Sequence, residues 1–184
     1  MDGNLDTPEA VLHFWFKEIE AAKWWRKDAE FDRLIGQRFG ALHARGADGE
    51  LFGWRSTPGG RLAEVIVLDQ FSRNLYRDSM LAFAFDGMAL VLAQEAVAAG
   101  ADVALPTEQR AFLYMPYMHS ESAAIHRVAV ELFSAPGLEG SLDFELRHKA
   151  IIDRFGRYPH RNAVLGREST AVELAFLKEP GSSF

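Results

Sequence analysis

Arg61-Leu62-Ala63-Glu64-Val65-Ile66-Val67-Leu68-Asp69-Gln70-Phe71 is the stretch on which the fold class turns. Val65-Ile66-Val67 is a β-branched triplet of the kind that favours a strand. Leu62, Val65, Ile66 and Asp69 nonetheless recur at spacings of three and four, the helical period. A strand needs a partner, and no second strand-like run stands elsewhere in the chain. The stretch is therefore read as a helix, and the chain is predicted to be all-α.

Working outward, helix signals recur on both sides. Thr7-Pro8-Glu9 combines an N-cap, a first-turn proline and an acid at the positive dipole end, ahead of Val11, Leu12, Trp15, Phe16 and Ile19. Asp28 caps a second helix with Phe31, Leu34, Ile35, Phe39 and Leu42 on one face and Gly46 just past its end. Gly46 to Gly60 reads as a loop, with Gly59-Gly60 as a turn. Asp78 or Ser79 opens an Ala-rich helix to Gly100. Thr107 caps the next, and Pro116 should interrupt it by removing a backbone donor and clashing with the preceding turn. Ser120 restarts a helix through Phe133. Ser141 caps one that runs to Phe155 and stops at Gly156. Thr170-Ala171-Val172-Glu173 is a capping box for a last helix. The expectation is a single domain over residues 1–184, an array of about eight helices in antiparallel hairpins.

The chain has 184 residues, 48% of them hydrophobic and 12% aromatic, enough to build a core without a staple. It has no cysteine, which excludes disulfides, thiolate metal sites and thiol chemistry. A net charge of -6 argues against a nucleic-acid partner, since phosphate contacts need a dense basic surface. The acidic start, Met1-Asp2-Gly3-Asn4-Leu5-Asp6, lacks the basic and apolar regions of a signal peptide. No apolar run is read as approaching the roughly 20 residues that span a bilayer. A cytoplasmic protein with no membrane partner is expected.

Against that acidic background one segment stands out. Arg154-Phe155-Gly156-Arg157-Tyr158-Pro159-His160-Arg161-Asn162-Ala163-Val164-Leu165-Gly166-Arg167 carries four arginines, Arg154, Arg157, Arg161 and Arg167, and a histidine in a shaped loop. Guanidinium forks suit carboxylates and phosphates. Asp69, Gln70, Arg73 and Asn74 form a second polar cluster, and His119, Ser120 and Glu121 a third. All three fall at helix ends, where free N–H groups favour anions. Arg73, Arg77, Arg157, Arg161 and Arg167 outnumber Asp69, Asp78 and Glu121, which suggests a cleft for a small phosphate- or carboxylate-bearing ligand. Arg73, Arg157, Arg161 and Arg167 would hold the charge. Asp69, Gln70, Asn74 and Asn162 would orient them, and His119, Glu121 and His160 are the candidates for proton transfer. Trp54, Tyr117 or Tyr158 would wall the pocket.

Other readings stay open. The same residues can form a structural ion-pair network, Asp69 with Arg161 and Glu121 with Arg73 or Arg157. The helical array can serve as an adaptor for a peptide or protein partner. A hydrolase or transferase using His119, Glu121 or His160 is a third reading, although Gly-x-Ser-x-Gly is absent and Ser120 reads as an N-cap. Glu145-Leu146-Arg147-His148 has a di-iron spacing without its second copy, and His119 and His126 stand two turns apart, so no metal and no cofactor are expected.

Leu68-Asp69-Gln70-Phe71-Ser72-Arg73-Asn74, Met118-His119-Ser120-Glu121, the Arg154–Asn162 run with Leu165-Gly166-Arg167, and Ser169-Thr170 together resemble the bacterial domain of unknown function 924 family. The likeness runs from about Val11 to Leu177. It implies an all-helical fold related to tetratricopeptide-type arrays and no established activity. Two positions depart from the family's pattern: Ser72 stands where it usually has Pro, and His126 where it usually has Gln. If His126 faces the cleft, a titratable ring replaces a neutral amide among the ligand contacts.

Overall fold

A computed structural model describes residues 5–183. Helices α1 (Pro8–His13), α2 (Ala29–Ala47), α3 (Pro58–Ile66), α4 (Ser72–Leu75), α5 (Asp86–Ala98), α6 (Thr107–Met118), α7 (Ala123–Phe133), α8 (Glu139–Phe155) and α9 (Ala171–Phe176) follow in order. No strand occurs among the described residues. The all-α expectation holds, and Met1 to Asn4 of the acidic start lie outside the described residues.

The deciding stretch is helical because it is buried on every side. Leu62, Ala63, Val65, Ile66, Val67, Leu68 and Phe71 are all 0% exposed, so the β-branched triplet packs against neighbours all round rather than along one sheet face. Helix α3 runs on through a π-helical turn, Val67–Phe71, into α4. A second π turn, Phe14–Glu18, extends α1 and closes with Ile19 N–H donating to the Phe14 carbonyl at 3.2 Å.

Around α3 pack α1, α5 and α6; then α6 packs on α7 and α7 on α8. The main core joins residues from Val11 to Leu138. Its aromatic centre places Trp15 edge-on to Phe71 and Phe112, with Trp24 5.8 Å from Phe16 and 4.8 Å from Phe112. A smaller buried group, Ile151, Ile152, Tyr158 and Phe176, lies beneath the C-terminal segment.

Several caps follow the sequence. Thr7 and Asp28 accept backbone N–H bonds at the starts of α1 and α2, Gly156 ends α8 at φ 69°, and Thr170 with Glu173 closes a capping box. Other boundaries move. Gly46 lies inside α2, and the left-handed residue beyond it is Gly49. Thr57, not a glycine turn, caps α3, so Gly59 and Gly60 sit in its first turn. Thr107 is the first residue of α6 and Pro106 its cap. Pro116 does not interrupt α6: its turn, Phe112 to Met118, is buried, and packing there offsets the one backbone bond the proline forgoes. Ser122 rather than Ser120 caps α7, and α8 starts at Glu139 rather than Ser141.

The long Ala-rich helix is broken. A 3₁₀ turn, Met80–Phe83, precedes α5, which has 13 residues. Together Met80–Ala98 is 19 residues long and apolar enough to cross a membrane by length and composition, which corrects the expectation that no run approaches that length. The helical part is about 20 Å long, short of a hydrocarbon core of about 30 Å. Ala89, Leu92, Ala93 and Ala96 are buried in the main core.

Candidate functional site

Asp69 lies in the π turn after α3, with its side chain 1% exposed. Its Oδ1 accepts from His119 Nδ1 at 2.7 Å and faces Arg73 Nη1 at 3.2 Å; its Oδ2 accepts from Gln70 Nε2 at 2.6 Å. Burial opposes ionisation of Asp69, but Arg73, His119 and Gln70 outweigh it and hold the carboxyl well below the usual carboxylate range. His119 is shifted down by burial and by the charge of Arg73, against the pull of Asp69. The pair is therefore a carboxylate and a neutral imidazole whose Nδ1–H donates to Asp69. His119 Nε2 makes no hydrogen bond among the described residues, and the side chain is 16% exposed.

Arg73 extends the network. Its Nη1 donates to the Asp69 carbonyl at 2.8 Å and to Asp86 Oδ1 at 3.0 Å, and its Nη2 to Asp86 Oδ2 at 3.1 Å. Asp86 opens α5 and also accepts from Arg161 Nη1 at 3.2 Å. Arg161 lies between two rings, with Cζ 4.4 Å from the Phe83 centroid and 4.7 Å from that of Tyr158. Its side chain is 8% exposed, and its Nε has no hydrogen-bond partner among the described residues. Burial and the neighbouring Arg73 both push the Arg161 guanidinium down from its ordinary range.

The turn between α6 and α7 joins from the other side. Glu121 accepts two bonds from Arg167, at 2.6 and 2.8 Å, and one from the Tyr158 backbone N–H at 2.7 Å. Burial works against the charged form, yet these donors hold Glu121 below its ordinary value. Asn162 accepts from Arg167 Nε at 3.0 Å and donates to Ser169 Oγ. His160 lies 5.6 Å from the Tyr158 ring and is pushed down to about 4 by burial and by Arg161. The Tyr158 hydroxyl donates to the Met118 carbonyl at 2.6 Å.

The three distant segments thus converge, but not every expected residue joins them. Asn74 turns away to Asp32, which Arg77 also grips. Arg157 pairs with Glu173 and the Glu168 carbonyl, anchoring α9. Ser120 contributes only its carbonyl, which accepts from His126 Nε2 at 2.8 Å. His126 is fully buried, with Nδ1 2.7 Å from Glu145 Oε1, so it braces α7 against α8 and does not face a ligand. Its neighbour Glu145 is pushed up by burial, against His126. Ser72, the other departure, accepts from His43 on α2 at 2.8 Å. The Glu145-x-x-His148 spacing builds no cluster of ligands: among the described residues no group of His, Asp and Glu is placed to hold a metal. Trp54 and Tyr117 pack in the main core, and only Tyr158 walls the site.

The expected excess of arginine does not survive. Asp86, which falls inside the helix expected from Asp78 or Ser79 to Gly100, sits at the head of α5 between Arg73 and Arg161 and balances the charge. The signal for it was present: a lone acid at the head of an otherwise apolar helix turn, Phe85-Asp86-Gly87. Phe83, which covers Arg161, carried no such signal. The cluster is largely buried, with Asp69, Gln70, Arg161 and Asn162 all covered, and a hollow of about 460 Å³ lies elsewhere, between α7 and α8, lined by Arg127, Val130, Leu146 and Lys149.

Residues 11–181 match the profile of a family described as bacterial protein of unknown function, DUF924. The chain belongs to the DUF924 family. This DUF924 chain is also similar to a solved protein of unknown function, ATU0120 from Agrobacterium tumefaciens, at 37% identity and a TM-score of 0.89, over 93% of this chain and 96% of that one. No curated protein matches it.

Proposed function

We propose that this DUF924 protein works in the cytoplasm and binds a small anion bearing a phosphate or carboxylate at the Arg73–Arg161 pair. One observation carries the reading. Among the described residues, Arg161 is a buried cation with a single charge-assisted bond, made to a carboxylate it shares with Arg73, and an Nε–H with no partner. A buried donor left unpaired is costly, and an anionic ligand at this edge would relieve it. Arginine offers a planar fork for such groups, which a lysine does not. Asp86 then acts as the internal anion that a ligand joins or displaces.

The test is calorimetry and thermal denaturation with inorganic phosphate and with small mono- and dicarboxylates. A ligand at about 100 times its Kd should stabilise the fold by roughly 2.7 kcal/mol. Arg161→Lys keeps the charge and loses the fork, so affinity should fall by about one hydrogen bond to a charged group, roughly 1.5–3 kcal/mol. Absence of a shift across the panel, or wild-type affinity in the lysine variant, would sink the reading.

A further inference from the structure

We propose that Asp69 and His119 form a general-base dyad beside the anion site, and that the protein hydrolyses an ester of a small substrate carrying its own carboxylate or phosphate. This rests on the anion reading above and adds the reaction. The chain of contacts is continuous. His119 bonds Asp69, Asp69 pairs with Arg73, and Arg73 and Arg161 meet on Asp86, each step at 3.2 Å or less.

Three features set this pair apart from a structural ion pair. Asp69 is held on both oxygens, by Gln70 on one and by His119 and Arg73 on the other, so its direction is fixed. That fixes His119 in the tautomer with the proton on Nδ1 and a lone pair on Nε2. Nε2 is the nitrogen without a hydrogen-bond partner among the described residues, on a side chain that is 16% exposed. Burial and Arg73 keep the ring neutral near pH 7, the form a base requires. His126, by contrast, is sealed in with both nitrogens bonded, to Glu145 and the Ser120 carbonyl, and His43, whose Nδ1 has no partner among the described residues, is buried away from the surface.

The step balances with water alone. Nε2 takes a proton from water as the water oxygen forms a bond to the ester carbon. The tetrahedral intermediate then expels the alcohol oxygen, and Nε2 returns the proton to it, releasing an acid and an alcohol. Asp69 stays ionised throughout and stabilises the imidazolium that forms between the two transfers. Arg73 and Arg161 hold the substrate's own anionic group and place the ester beside His119.

The experiment uses mono-4-nitrophenyl succinate as the charged ester and 4-nitrophenyl acetate as its uncharged counterpart. The wild-type protein should release nitrophenolate from the succinate ester in preference, inorganic phosphate should compete, and kcat should hold through the pH range where an ordinary histidine titrates and fall only at more acidic pH, as the downshifted ring gains a proton. His119→Ala should lower kcat about 100-fold or more with little change in KM, and added imidazole should restore part of it. His119→Gln keeps an N–H for Asp69 and fills the ring's space, so it should fold and lose the same turnover. Phosphate binding with no hydrolysis above buffer, or wild-type kcat in His119→Gln, overturns the dyad and leaves the anion reading standing. Loss of both binding and hydrolysis in the wild-type protein overturns both.

Discussion

His148 shows how single buried side chains set the response of this fold to acid. Its side chain is almost fully covered in α8, Nδ1 donates to the Phe144 carbonyl at 2.8 Å, and burial pushes its pKa down to about 3. An unfolded histidine titrates near 6.5. Between those values the unfolded chain holds a proton that the folded chain lacks, so stability is complete above about pH 6.5 and declines as the pH falls towards 3. At pH 5 this one group should cost about 2 kcal/mol. His160, held down to about 4, acts in the same direction. Urea denaturation at pH 7 and pH 5 should show the loss, and His148→Gln should reduce it by about that amount; an unchanged pH dependence in the variant would contradict the account. The sequence named His119, His126, His148 and His160, but their roles were not legible in it. Residue type is visible in a sequence, whereas burial and the identity of the group facing each nitrogen depend on packing. His126 is the clearest case: its spacing from His119 excluded a shared metal, but nothing local revealed that it would be sealed between α7 and α8.

At the level of elements, glycine positions separate close packing from open space. A methyl group added at Gly60, in the first turn of α3, would come within 1.9 Å of the Trp54 carbonyl oxygen. That oxygen belongs to the backbone of the 3₁₀ turn Phe52–Ser56 and has no rotamer by which to yield. Gly60→Ala should destabilise by about 1–3 kcal/mol or more, lowering Tm by about 2–4 °C for each kcal/mol. Gly40, in the interior of α2, has nothing within 4 Å of the same position, and Gly40→Ala should stabilise by roughly 0.5–1 kcal/mol. Differential scanning calorimetry of the two variants should give shifts of opposite sign. Element type was legible wherever a cap and a period agreed, as at Thr7, Asp28 and Thr170. Boundaries went astray where a strong local signal met a stronger tertiary one. Pro116 lies in a helix because its whole turn, Phe112 to Met118, is buried in the main core, and packing there outweighs one lost backbone bond.

For the molecule as a whole, Asp86 is the join between parts far apart in sequence. It ties the head of α5 to Arg73 after the π turn and to Arg161 near the C-terminus. Asp86→Ala would leave Arg161 buried without a carboxylate, a change expected to cost about 3 kcal/mol or more. The double variant Asp86→Ala with Arg161→Met removes the stranded charge and should recover part of that loss. Chemical denaturation of both settles it, and equal stability of the single and double variants would show that the buried charge is not the cause. The convergence of three polar segments was legible because each carried arginine, histidine or acid at a helix end. Its charge balance was not, since the completing carboxylate sits in an apolar stretch whose period says only helix.

The π turn at Val67–Phe71 leaves the helix from Pro58 to Leu75 with one residue more than a regular spiral of that pitch would hold. Each residue of an α-helix turns the next by about 100°. Loss of a single residue from this widened turn would leave the hydrophobic positions before it undisturbed and swing everything after it around the axis. Arg73 would point a quarter-turn or more away from Asp86, so the same small deletion that tidies the helix would dismantle the polar cluster built on its far end.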